Sequence, residues 1–580
     1  MLDNLTILHE GLPNKHSRRI LVVVTMLCRL NKTGCIKNEG IMLAGLMQAA
    51  PLLISGILRH AAVAHGDREI VSRLVDEPLW RYDWSRCADR TGRLAQALER
   101  LGIVPGDRVT TLAWNTHRHM ELMYAAPGMG AVLHTANPRL SDEQIVYTIN
   151  HAGGRVLFFD RSFVALVGRI AHRLASIEHF VMLSDAERLM PGAVDAVSCE
   201  ELIAAEQGGY AWPSFDETTG AILCFTSGTT GDPKGVLYSH RSIALHALAA
   251  GLRGSLDISA FDVIMPCSSL YHATAWGLPF AAAVNGAKFV LPCDKFDGAS
   301  LHELIASEGV TMSCGVPTIW SMYLAHLDAI GTDAGTLQRI VIGGSAMPRA
   351  MAETFKQRGV TVVQALGMTE TSPLIVVATP TPKLMAARGE VAEDHVMTHQ
   401  GRLIYGVEVK IVDEEWQELP WDGKSAGSLL VRGPWVVDRY YPNIPAVDAD
   451  GWFDTGDIAT MDEFGFMRIT DRKKDIIKSG GEWVSSIDLE NVAIGCPGVR
   501  VAAVIGVYHP RWEERPIMVI EPHDGIEVTA EQVRAFIEPH VTPWWLPDAV
   551  VIASVPLTAT GKIDKKALRE RYRDHLRTAT

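Results

Sequence analysis

Eleven consecutive residues, Thr226-Ser227-Gly228-Thr229-Thr230-Gly231-Asp232-Pro233-Lys234-Gly235-Val236, concentrate glycines, hydroxyls and one lysine. Such a run has no obvious use as a core element. Gly228 and Gly231 carry no Cβ, so their N–H groups can face an anion closely. Thr226, Ser227, Thr229 and Thr230 add hydroxyl donors, and Lys234 adds a charge. The chemistry this suggests is a phosphate cradle. It is not a P-loop of the GKS/T kind, in which the lysine runs straight into a helix. Here Pro233 precedes the lysine and Gly235-Val236-Leu237-Tyr238 follows it.

Other residues suited to chemistry are scattered along the chain. Glu370, in Gly367-Met368-Thr369-Glu370-Thr371, follows the strand-like Val362–Leu366. A carboxylate at a strand end in an open α/β sheet lies where ligands bind, and it can hold a metal; the alternative is a helix cap. Val341-Ile342-Gly343-Gly344-Ser345-Ala346 ends another strand in a glycine pair, which lets a flat group lie against the backbone. His272 and Trp276 are four apart and would share a helix face, as a site pair or as core packing. Asp457, after Gly456, is placed to accept two ribose hydroxyls or merely to form a turn. Lys562 follows Gly561 in a polar loop and is a mobile, reachable lysine.

The elements that position these residues follow from periodicity. Ala221–Phe225 and Val156–Phe159 are short apolar runs, expected as buried strands; Arg108–Trp114 is strand-like. Residues 84–101, 121–131 and 142–151 have helical spacing, and another helix is expected after Ser239. Strands alternating with helices to about Met351 imply α/β architecture with parallel sheets. After Gly401 the pattern becomes alternating, as in Val407–Val412 and Gly427–Gly433, which reads as a smaller antiparallel unit at about 401–471. Asp471-Arg472-Lys473-Lys474-Asp475 is all charged; it is either a solvated face or a hinge between differently patterned regions. About 105 residues beyond it suffice for a small α+β domain, in which Ser485 and Asp488 fit a capping box.

Whole-chain properties narrow the function. At 580 residues more than one domain is expected. A net charge of −13 argues against general nucleic-acid binding, so anionic ligands must meet local basic clusters. Nine cysteines without CxxC spacing argue against a disulfide framework or a zinc-ribbon site and fit a reducing, cytoplasmic setting. No run reaches the length of a membrane span, which leaves peripheral membrane contact open. Residues 1–41 read as an upstream extension before Met42.

Taken together, Thr226–Val236, His272 to Trp276, Gly343–Ala346, Gly367–Glu370, Thr455–Asp457, Asp471–Lys478 and Gly561–Lys562 agree in kind and order with one family. From Met42 to about Arg571 the chain resembles an acid–CoA ligase of the adenylate-forming superfamily. It is most similar to bacterial medium/long-chain fatty-acid and 3-methylthiopropionate CoA ligases, through Tyr238–Ser242 and Ser479–Ser486. The resemblance implies a large N-terminal domain (42–471) with parallel-rich α/β sheets and a small β-barrel-like unit. A hinge at 472–474 and a mobile α+β C-terminal domain (475–580) complete the expected fold. It implies ATP, CoA and Mg2+ acting on a small carboxylic acid, and a homodimer.

By the same resemblance, Thr226–Lys234 cradles phosphates, Thr226 and Glu370 hold Mg2+, and Asp457 binds ribose with Arg472 nearby. Gly344, Ser345, Ala365 and Thr369 complete the nucleotide site. Lys562 serves adenylate formation as a catalytic residue with Glu370 and His272. Lys474 is the hinge residue, and Lys474, Lys478 and Trp483 meet the nucleotide in a second conformation. His272, Trp276, Gly315 and Gly343 line the acyl route, with Trp320 a candidate to shorten it. One departure stands out: Leu366 replaces the Tyr or Trp that the family stacks on adenine. Rival expectations are an acyl-AMP ligase loading a carrier protein and a non-catalytic adenylate or acyl binder.

Overall fold

The computed structural model describes residues 45–189, 192, 194–226, 232–345, 347–480, 482–558 and 562–577. The expected extension at 1–41 and the cradle residues Ser227, Gly228, Thr229, Thr230 and Gly231 lie outside these, as do Ala346, Gly481 and Gly561. Residues 51–580 form one compact unit.

Two large sheets carry that unit. In the first, strands 196–198, 179–182, 156–159, 108–112, 132–135 and 220–225 run parallel in that order, and Gly235–Ser239 closes the edge antiparallel to Gly220–Phe225. The apolar runs at 156–159 and 221–224 are fully buried, as expected of strands covered on both faces. Gly235–Ser239 was not expected as a strand. Thr226 and Lys234 therefore stand at the two feet of a hairpin loop, joined by Thr226 N to Lys234 O at 2.9 Å.

The second sheet has thirteen strands. Its parallel part runs 361–367, 339–342, 312–315, 263–266, 288–291 and 69–74. The antiparallel unit expected at about 401–471 is continuous with it. Leu374–Val377 turns back against Thr361–Gly367, and 401–403, 466–472, 453–461, 427–432 and 408–412 follow. The strand direction thus reverses beside Thr361–Gly367, where Glu370 leaves the sheet. Gly367 is required there, since a Cβ would collide with the Pro373 carbonyl.

Helix starts follow their caps. Ser239 accepts from Ser242 N and Ser242 returns the bond, starting His240–Gly251. Ser485 likewise accepts from Asp488 N at the start of Ser486–Ile494. The C-terminal sheet is smaller, with order 482–484, 477–479, 513–522, 499–509 and with 549–552 parallel to 513–522.

The charged run 471–475 is solvated only in part: Lys473 and Lys474 are exposed, and Asp471 and Asp475 are buried. Asp471 is fully buried and accepts from Ser486 N at 2.6 Å and Ser486 Oγ at 3.0 Å. Arg472 pairs with Asp457, Lys473 with Asp454 and Asp475 with Arg569. Asp471 and Asp475 are thus tied to the C-terminal elements and Arg472 to the site, while Lys473 pairs with the neighbouring strand.

Candidate active site

The carboxyl ends of the parallel strands converge on one region. Strand 339–342 ends in Gly343-Gly344, 361–367 leads to Thr369 and Glu370, and 312–315 ends at Gly315. Strand 263–266 leads to His272 and Trp276. This is where open α/β sheets bind ligands, because loops diverge there and leave a crevice.

Glu370 is almost fully buried in a short 3-10 turn. Tyr440 Oη donates to its Oε1 at 3.0 Å. Burial raises its pKa above the usual carboxylate value, partly offset by the Tyr440 hydrogen bond and the cations Lys562 and Arg472. The Tyr440 ring also carries Lys234 Nζ at 4.8 Å from its centroid. Lys234 N in turn donates to Thr226 Oγ1 at 3.3 Å. One tyrosine therefore joins the glycine-rich hairpin to the buried carboxylate. Sequence reasoning passed over Tyr440, because nothing local marks it.

Asp457 and Arg472 are cross-strand partners in adjacent antiparallel strands, with Arg472 Nε 3.2 Å from Asp457 Oδ1. Burial raises the pKa of Asp457, and Arg472, Lys562 and Lys474 oppose that rise. Lys562, though sequence-remote, lies at the same place. A Cβ on Gly344 would sit 3.8 Å from its Cε. Burial pushes the Lys562 ammonium down to about 8, helped by Arg472 and opposed by Asp457 and Glu370. Its loop is closed by Thr558 N to Lys562 O at 2.7 Å and Lys562 N to Thr558 Oγ1 at 3.2 Å. His272 is pushed down to about 4 by burial, with the Lys562 charge adding to it, so its imidazole is neutral at pH 7.

His272 and Trp276 do not share a helix face. Ala273, Thr274, Ala275 and Trp276 all have positive φ, between 40° and 59°, and Gly277 follows at 75°. This is a left-handed turn, costing about 1–2 kcal/mol per non-glycine residue. Ala275 N to Ser269 O at 3.2 Å and Gly277 N to Thr274 O at 3.0 Å brace it. The turn lays the Trp276 ring on Gly343. A Cβ at Gly343 would lie 3.2 Å from Trp276 Cη2 and 2.7 Å from the Ala365 carbonyl. Gly343, Ala365 and Trp276 thus pack as one layer.

Gly315 similarly leaves room beside Cys267 and Trp320, whose Nε1 would be 3.4 Å from an added Cβ. Trp320 itself is fully buried against Tyr323 and Phe355, as a core residue. Ser345 is exposed and Thr369 is buried, its carbonyl accepting from Tyr238 Oη at 2.7 Å. Leu366 packs half-buried against the main core.

The expected residues thus divide. Lys562, Glu370, Asp457, Arg472 and His272 form one electrostatic cluster, and Lys474 is felt by Asp457. Lys478 and Trp483 pair across a solvent-facing hairpin, where Lys478 Nζ is 3.9 Å from Glu414.

Residues 58–441 match the AMP-binding enzyme model, and 488–562 match the AMP-binding enzyme C-terminal domain. The chain belongs to the AMP-binding enzyme family. It is 46% identical over 540 residues to the 3-methylmercaptopropionyl-CoA ligase of Ruegeria lacuscaerulensis, covering 92% of this chain and 99% of that protein. It is 44% identical over 542 residues to the medium-chain-fatty-acid–CoA ligase of Ectopseudomonas oleovorans, covering 92% and 98%. The anthranilate CoA ligase AuaEII, solved with anthranoyl-AMP, superposes with a TM-score of 0.80 at 22% identity, covering 92% of this chain and all of that one. The α/β fold expected from the sequence is therefore the fold of this family.

Proposed function

We propose that this cluster performs both half-reactions of an AMP-forming acid–CoA ligase on an unbranched aliphatic or thioether acid. The enzyme class rests on family membership and on relatives that are CoA ligases. The observation that carries the residue assignment is Lys562, which comes from the loop between strand 549–552 and helix Lys565–Tyr572 yet stands beside Gly344 and is felt by Glu370, Asp457 and Arg472.

In the first step a carboxylate oxygen bonds to the α-phosphorus of ATP, and the bond to pyrophosphate breaks. Lys562, as an ammonium, stabilises the charge that develops between carboxylate and phosphate. Thr226 and Lys234, with the hairpin between them, hold the departing pyrophosphate. Asp457 accepts the ribose hydroxyls, while Arg472 favours its ionised form against the effect of burial. Glu370 and the Thr226 hydroxyl offer hard oxygen donors, joined through Tyr440 and Lys234, and this donor set fits Mg2+. Bound Mg2+ supplies charge neutralisation on the triphosphate. In the second step the CoA sulfur bonds to the acyl carbon and AMP leaves. Lys562 must then withdraw, because it occupies the face the thiol needs. Rotation about Lys474 would bring Lys478 and Trp483 inward instead, a hinge motion of known type. His272 and Trp276 line the acyl route, with His272 neutral. The proposed domain limits remain 42–471 and 475–580.

The test is product analysis with ATP, Mg2+, CoA and either octanoate or 3-methylmercaptopropionate. Thioester and AMP are expected in equal amounts. Adenylate accumulating without thioester would overturn the reading. Lys562→Ala is expected to lose adenylation but still convert added acyl-adenylate to thioester.

A further inference from the structure

A second cluster of ligand-type side chains lies away from this site. His395 and His399 are four apart at the end of the helix Ala392–Thr398, and both face Asp462. Asp462 starts the turn between strands 453–461 and 466–472. One donor atom from each residue lies within 4.8 Å of the other two.

The donors are oriented as metal ligands are. Asp462 Oδ1 accepts from Phe464 N at 2.8 Å and Phe466 N at 2.9 Å, which fixes the carboxylate and leaves Oδ2 facing the histidines. His399 Nδ1 lies 2.8 Å from the His395 carbonyl. A carbonyl only accepts, so Nδ1 carries the proton and Nε2 presents its lone pair. His395 Nε2 lies 2.7 Å and His399 Nε2 4.0 Å from Asp462 Oδ2, so both rings turn a nitrogen toward the same carboxylate oxygen. Asp462 is 4% exposed, so its Oδ2 relies on these two nitrogens, or on a cation between them, to offset its lost hydration. The imidazole rings stack at 4.0 Å, and Phe464 and Phe466 set their edges against His395.

We propose that His395, His399 and Asp462 form a binding site for a borderline divalent cation of the Zn2+ class. Two imidazoles and one carboxylate suit Zn2+ or Co2+, with one position left for water. Donors around such an ion stand roughly 3.4 Å apart, so small rotamer changes seat it. The ion would clamp the helix Ala392–Thr398 to the hairpin that carries Asp457 and Arg472. It is distinct from the Mg2+ proposed at Glu370, whose donors are all oxygen.

The experiment uses the full untagged chain, stripped with chelator and titrated with Co2+ in excess Mg2+. One Co2+ per chain with a visible ligand-field band is expected. Asp462→Asn keeps Oδ1 for the turn, and with His399→Gln it should weaken Co2+ at least tenfold. His326→Gln, remote from the cluster, should leave binding unchanged. Wild type binding no more Co2+ than the double variant overturns the proposal. If that variant fails to fold, diethyl pyrocarbonate labelling of the wild type decides. Zn2+ should protect His395 and His399 from modification, and equal labelling with and without Zn2+ refutes the site.

Discussion

Replacing Tyr440 by Phe isolates the one side-chain hydrogen bond that the buried Glu370 carboxylate receives among the described residues. The ring remains for Lys234, but the hydroxyl that donates to Glu370 Oε1 at 3.0 Å is lost. A hydrogen bond to a charged group contributes about 1.5–3 kcal/mol, and Glu370 is buried enough for solvent not to replace it. Burial already raises the Glu370 pKa, and the Tyr440 bond opposes that rise. Its removal therefore favours the protonated acid further. About 1.4 kcal/mol is tenfold in that equilibrium. The ionised form is the one that would hold Mg2+, so activity should be lost on the acidic side first. The assay is the pH profile of pyrophosphate release at saturating ATP and acid. The half-maximal point of the acidic limb should rise by about one on the pH scale or more, and excess Mg2+ should partly restore activity. An acidic limb that stays put, or a loss equal at every pH, would refute the reasoning.

Lys562, held near 8 by burial, should lose its charge above that pH. Adenylation should then decline on the alkaline side, and Lys562→Arg, which stays charged, should abolish that limb in a pH–rate measurement. Gly343→Ala places a Cβ 2.7 Å from the Ala365 carbonyl and 3.2 Å from the Trp276 ring, so thermal unfolding should register a loss of about 1–3 kcal/mol and the acid KM should rise. Leu366→Trp restores an aromatic face at the strand end and should tighten ATP several-fold by calorimetry, about 1 kcal/mol.

Much of the fold was written in local patterns. Apolar runs such as Val156–Phe159 became buried strands because a parallel strand covered on both faces needs no polar alternation. Ser239 and Ser485 marked helix starts because a side-chain acceptor for an orphan N–H is a one-turn affair. The motifs carrying Glu370, Asp457 and Lys562 were legible as chemistry. That they share one cluster was legible only through resemblance, since no periodicity relates them.

What tertiary structure alone decided is of another kind. Tyr440 bridges Lys234 and Glu370 because a loop of the antiparallel region returns over the parallel strand ends. The left-handed turn at 273–276 overrides helix spacing, since packing of Trp276 on Gly343 fixes the backbone there. Of the charges at 471–475, Arg472 and Lys473 meet partners on the neighbouring strand 453–461, while Asp471 and Asp475 meet theirs on the C-terminal elements. His395 and His399 carried an i, i+4 signal in the sequence, but the carboxylate they face lies beyond six more strands. Sequence alone determines what each segment prefers over a few turns. Which distant side chains share one dry volume, and so perturb one another's protons, depends on the order in which strands assemble.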